Sequence, residues 1–158
     1  MKKILISFAL ILASSAIVFA GEPVKNFADL MDALKKGQTV KVVIYYGKCQ
    51  LISDNEIEDK SPDAIGGLTI NTYEYFAAKS MHNENAFLAT SETKLIQHPR
   101  TGNFVYNYVK IKITDDNKVQ ITAKYVDAKT YETVMDESFY TTINDGTNSG
   151  AFYLFKEN

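Results

Sequence analysis

Along most of this chain polar and apolar residues alternate, and one early stretch breaks that rhythm in favour of a helix. Phe27, Leu30, Met31 and Leu34 stand at i, i+3, i+4 and i+7, the single apolar stripe of an amphipathic helix. Asn26 supplies an N-cap and Asp29 lies near the positive helix start. Lys35 and Lys36 suit the negative end, and Gly37 is a natural stop. So narrow a stripe predicts a helix that lies on a sheet or closes the end of a barrel.

From Thr39 the period becomes two. Val40, Val42, Ile44 and Tyr46 alternate with Lys41, Val43 and Tyr45, which predicts a strand over residues 39–46. Residues 53–60 are acidic and polar and read as a loop or hairpin end. Ser61-Pro62-Asp63 predicts a short helical turn that Gly66-Gly67 ends. Residues 68–76 read as a strand with a bend, 77–85 as a loop, and 86–97 as one long bent strand or two short ones. His98 to Asn103 is a turn. Strands follow over 104–113, 118–126, 131–143 and 151–155, with Asp115-Asp116-Asn117, residues 127–130 and residues 144–150 as the turns and loop between them. Strands joined by tight turns cannot be parallel, because parallel pairing needs long crossovers. The predicted class is mainly β, one antiparallel domain over residues 21–158 with one N-terminal α-helix. A barrel or half-barrel with the helix against one opening is the preferred architecture, and a two-sheet sandwich is the alternative.

The first residues follow a different plan. Lys2 and Lys3 precede an apolar run over 4–12 broken only by Ser7, and Val18-Phe19-Ala20 places small or short residues where a signal peptidase reads. The expectation is a cleaved signal peptide over residues 1–20, a mature start at Gly21, and a periplasmic or secreted protein. The run is shorter than the roughly 20 apolar residues of a membrane span, so no transmembrane segment is expected in the mature chain.

Composition narrows the partners. The chain has 17 basic and 19 acidic side chains, a net charge of −2, and Arg100 as its sole arginine. Such a chain carries no electrostatic footprint for nucleic acid or anionic lipid. Cys49 is the one cysteine, so no intramolecular disulfide forms; the thiol is either buried or a reactive or intermolecular site. With only His82 and His98 besides, His/Cys zinc sets are out of reach, and no metal or cofactor is expected. Ten Tyr, nine Phe and no Trp favour aromatic-faced strands.

The chemistry-bearing positions are few. In the strand over 104–113, the row Val105, Asn107, Val109, Ile111, Ile113 is apolar except for Asn107. Asn107 is either a structural amide or a polar group at the end of a ligand cavity. Tyr106 and Tyr108 lie on the opposite face, where they contact a ligand or cover a half-wet sheet. His98 and Arg100 share a loop, as anion binders or as solvated turn residues. A thiol-dependent enzyme would pair Cys49 with His98 as base. There is no nucleophile elbow and no phosphate-binding Gly loop. Asp136 and Glu137 are adjacent on a strand and point to opposite faces, unlike a glycosidase pair. Glu56, Glu58 and Asp59 lack calcium-loop spacing. No catalytic residue is assigned.

The blocks Tyr45-Tyr46-Gly47-Lys48-Cys49, Ala64-Ile65-Gly66-Gly67, Tyr73-Glu74-Tyr75-Phe76 and Ala86 to Thr93 resemble the bacterial VirK family. So do His98-Pro99, Val105 to Lys110, Ile121 to Tyr125, Val134 to Phe139 and Ile143 to Gly146, a likeness running from about Asn26 to Phe155. The resemblance implies a small exported bacterial protein, named from an association with virulence gene sets. It implies no reaction, cofactor or catalytic residue. The resulting expectation is a non-enzymatic envelope protein that binds a small ligand, a peptide or another envelope protein. A thiol enzyme or redox protein and a passive structural protein are the alternatives. The ligand-site candidates are Cys49, His98, Arg100, Tyr106, Asn107 and Tyr108.

Overall fold

The computed structural model describes residues 21–53 and 56–157, so the expected signal peptide lies outside the described residues. Its one described α-helix, α1 (Phe27–Lys35), begins where the sequence places it, with the Asn26 side chain accepting the Asp29 N–H. It ends in a Schellman motif: Gln38 N–H donates to Ala33 C=O, Gly37 N–H donates to Leu34 C=O, and Gly37 takes the left-handed φ of 74°. Phe27, Leu30, Met31, Ala33 and Leu34 are buried.

Eleven strands are described: β1 (Glu22–Val24), β2 (Val40–Tyr45), β3 (Gln50–Ser53), β4 (Glu56–Ile57), β5 (Ile65–Ile70), β6 (Tyr73–Phe76), β7 (Phe87–Gln97), β8 (Phe104–Thr114), β9 (Lys118–Asp127), β10 (Thr133–Thr142) and β11 (Phe152–Lys156). They form a four-stranded sheet ordered β1-β11-β2-β5 and a seven-stranded sheet ordered β4-β3-β10-β9-β8-β7-β6, with every strand pair antiparallel. The apolar rows of both sheets and of α1 share one core, centred on Ile44, Leu88, Ile111, Ile121, Phe139, Phe152 and Leu154.

The expected barrel or half-barrel is not formed; the two sheets face each other as an open sandwich. Two features keep them apart. The segment expected as one bent strand over 68–76 splits at Asn71-Thr72, so β5 joins the small sheet and β6 the large one. Strand lengths also differ: β7 to β10 run 10 or 11 residues, whereas β2, β5 and β11 run 5 or 6. The short sheet therefore covers only part of the long one.

Other local expectations change too. Ser61-Pro62-Asp63 is irregular rather than helical, tied down by the Ser61 hydroxyl donating to Cys49 C=O at 2.6 Å. Gly66 and Gly67 are not a stop but lie inside β5. A Cβ on Gly66 would fall 2.7 Å from the Tyr46 ring, and one on Gly67 2.6 Å from Val42 C=O. Close packing of ring and backbone, not turn formation, selects glycine there. β1, β3 and β4 were not expected, being too short to show a period.

The end of the sandwich at the β8–β9 hairpin is closed by α1. Asn117, in the left-handed region at the hairpin turn, accepts the Phe27 N–H on its side-chain oxygen at 2.7 Å. This satisfies a helix-start donor that has no intrahelical partner. Tyr73 of β6 donates its hydroxyl to Leu34 C=O at 3.4 Å near the other helix end.

In urea unfolding, Phe139→Ala lowers stability by about 3–5 kcal/mol by opening a cavity in the shared core. Asn117→Gly keeps the turn geometry, removes only the cap, and lowers it by about 1 kcal/mol.

Candidate functional site

The strand registers lay out the inner face of the large sheet level by level. At one level Thr90, Ile111, Ile121, Phe139 and Leu51 stand abreast. Ile111 and Ile121 are fully buried there under the small sheet. One level further the row is Glu92, Val109, Ala123, Glu137 and Ser53, and the next is Lys94, Asn107, Tyr125 and Met135. The inward row thus turns from apolar to polar within two levels. A polar side chain on that face needs water, a ligand or a protein partner, as at Thr90, which is buried and donates to Thr72 C=O at 2.6 Å. The change of chemistry coincides with a half-open cleft of about 910 Å³ between this part of the large sheet and β5.

The cleft is built from three elements. The large sheet gives Glu92, Lys94, Asn107, Tyr125 and Glu137; β5 gives the stretch from Ile65 to Leu68; the β7–β8 loop adds His98 to Arg100. Tyr46, in the single-turn 3-10 segment Tyr46–Lys48, packs edge-on to Phe139 at 4.7 Å and also lines the cleft. Glu92 and Lys94 pair at 3.1 Å.

Electrostatics follow from this partial burial. Burial, and secondarily the neighbouring Cys49 and Tyr125, push the Tyr46 phenol up to about 12, so it remains a neutral hydroxyl at physiological pH. Burial also holds the Glu137 carboxyl above the usual carboxylate range; Arg100 pulls it back down and Glu58 adds to the rise. His98 accepts the Arg100 and Thr101 N–H groups on Nδ1 at 3.1 and 3.2 Å, which in the neutral ring leaves Nε2 carrying the proton. That ring lines the cleft and meets Tyr125 edge-on at 5.3 Å.

The structure gathers three of the six candidates, His98, Arg100 and Asn107, in this cleft and leaves three outside its lining. Cys49 is buried in the core, its thiol donating to Tyr45 C=O at 3.5 Å. Burial raises the thiol against a hydrogen bond with Thr141, which leaves it short of thiolate character. Tyr106 and Tyr108 lie on the outer face, where Tyr106 stacks on Tyr131. Tyr46, Glu92, Lys94, Tyr125 and Glu137 were missed. The inward parity of Glu92 and Lys94 was readable along β7, but nothing local says that the small sheet stops short of them. Among the described residues no group of three His, Cys, Asp or Glu side chains is placed to hold a metal, and no helix is long and apolar enough to cross a membrane.

Because the folded state holds the Glu137 proton more tightly than the unfolded chain, wild-type stability relative to Glu137→Gln falls as pH rises above the ordinary glutamate value of 4.5. Urea melts across that range check it. Arg100→Gln moves the Glu137 midpoint further up in a carbon-detected NMR titration. Cys49 reacts with an aromatic disulfide reagent on the order of 100-fold more slowly in the folded protein than in denaturant.

A family model described as VirK protein matches residues 23–131, from β1 through the turn after β9. The structure is similar to the crystal structure of a VirK family protein from Legionella pneumophila, with a TM-score of 0.63 at 17% identity, covering 86% of this chain and 99% of that one. At that identity the likeness speaks for the fold. No curated protein matches the chain. With a family model spanning well over half of its length, the chain belongs to the VirK family.

Proposed function

We propose that this VirK family protein is an exported, non-enzymatic binding protein of the bacterial envelope, and that the cleft beside β5 is where it binds. The observation that carries the reading is the switch of the inner face from apolar to polar at the level of Glu92 and Glu137, beside a cavity of about 910 Å³. A cavity of that size with a few convergent polar groups is the usual form of a ligand site. Its inward-facing walls present the carboxyls of Glu92 and Glu137, Lys94, the sole arginine, the Asn107 amide and the phenols of Tyr46 and Tyr125, which suit a polar ligand bearing both charges.

The same geometry disfavours a thiol enzyme. Cys49 is not among the cleft-lining residues, its thiol is raised by burial, and the His98 nitrogen that would serve as base already accepts two backbone N–H groups. A passive structural role gives no reason for charged side chains on an inward-facing row.

Export is tested by N-terminal sequencing of protein recovered from the envelope fraction, which is expected to begin at Gly21. Binding is tested by titrating amide-labelled protein with a library of zwitterionic fragments, amino acids and dipeptides. Shifts are expected to cluster at Tyr46, His98, Asn107 and Glu137. Replacing Arg100 and Asn107 together by Ala weakens such binding about tenfold or more while leaving the thermal midpoint nearly unchanged. Shifts confined to Tyr106, Tyr108 and Tyr131 on the outer face would overturn the assignment.

A further inference from the structure

The cleft has a property beyond its side chains: one of its walls is an unpaired sheet edge. β5 is the terminal strand of the small sheet and pairs with β2 alone. Tyr46 N–H donates to Ala64 C=O at 2.9 Å, which fixes the phase of that ladder. In an antiparallel pair alternate residues exchange both hydrogen bonds with the partner. Gly66, Leu68 and Ile70 therefore turn their backbone groups to β2, opposite Ile44, Val42 and Val40. Ile65, Gly67 and Thr69 turn theirs away, toward the cleft.

No described strand takes up these groups. A second hollow of about 440 Å³ continues along the same edge, lined by Gly67, Leu68, Thr69, Asn71, Glu92 and Lys94 among others. Together the two cavities run the length of β5. Facing it, β7 pairs with β8 throughout but has no described partner on its other edge beyond Thr90, because β6 covers only its first residues.

On the reading that this cleft is the binding site, the geometry points to its ligand class: an extended peptide segment that adds as a strand to the free edge of β5. Two observations select this occupant. The edge offers a ladder of donors and acceptors at strand spacing, which an extended backbone matches and a compact metabolite does not. Glu92 and Lys94 of the large sheet line both cavities, so the edge is recessed behind the molecule's own wall. A flat edge-to-edge pairing with a second folded copy meets that wall, whereas a single extended segment slides in beside it. The Glu92 carboxylate and Lys94 ammonium then face the peptide's side chains and favour a segment of mixed charge.

The experiment uses the mature chain, a random displayed peptide library, and the best-enriched peptide synthesised with and without N-methylation at alternate residues. Binding of the unmodified peptide is expected to slow amide exchange at Ile65, Gly67 and Thr69 about tenfold or more, with little change at the already paired Gly66 and Leu68. Alternate N-methylation in the edge-facing phase is expected to weaken binding about tenfold or more, and the opposite phase much less. Ile65→Pro, which removes one edge donor at the exposed start of β5, is expected to weaken it as well. Peptide binding that shifts His98, Asn107 and Glu137 but neither protects the β5 edge nor responds to N-methylation overturns strand addition and leaves the cleft as the binding site. A library that yields no binder, or protection of the edge only in a self-associated dimer, overturns the peptide class. The fragment titration, read separately, decides whether the cleft binds at all.

Discussion

The short sheet cannot cover the long one, and the rest of the molecule is arranged around that mismatch. Burial of apolar surface is the main stabilising term, at about 25 cal/mol per Å². It is concentrated at the levels where both sheets and α1 meet, around Ile44, Ile111, Ile121, Phe139 and Phe152. Past that level an apolar inner face would expose hydrophobic surface to water. The chain instead places Glu92, Lys94, Asn107 and Glu137 there, so the same strands serve as core at one end and as cleft wall at the other.

The two ends of the sandwich are treated oppositely. One is closed by α1, locked through Asn117 to the β8–β9 hairpin and through Tyr73 to β6. The other stays open because β5 and β6 diverge into separate sheets and no described strand bridges the gap between β5 and β7. An unprotected edge is normally an aggregation hazard. Here it lies beside the charged Glu92–Lys94 pair, which lines the hollows along it.

The proposed binding role draws on the chemistry of the cleft. Its phenol at Tyr46 is held neutral, its imidazole is fixed as a donor by the loop it helps to form, and the one thiol is committed to the core. What remains around the cleft are fixed dipoles and both signs of charge. Structure and family membership agree on the fold, and the binding reading rests on the geometry of this one molecule.

Much was legible in the sequence because it is decided locally. The helix and its caps follow from a 3.6-residue stripe between Asn26 and Gly37, and the long strands β7 to β10 follow from period-two alternation between turn residues. The polar Asn107 in an apolar row already marked a choice between core amide and cavity wall. The rest depended on contacts far apart in the chain. That Gly66-Gly67 is strand rather than turn is set by the Tyr46 ring and Val42 backbone lying against it. That the sheets form a sandwich rather than a barrel is set by β5 and β6 parting company, and short strands such as β1 and β3 exist only because β11 and β10 offer them a ladder. The sequence by itself determined which residues form the helix, the long strands and their inward rows, since periodicity and capping are properties of neighbours. Only the tertiary structure decided how far one sheet shields the other, and so which inward residues become core and which become the wall of a cleft, because burial depends on what a distant segment covers.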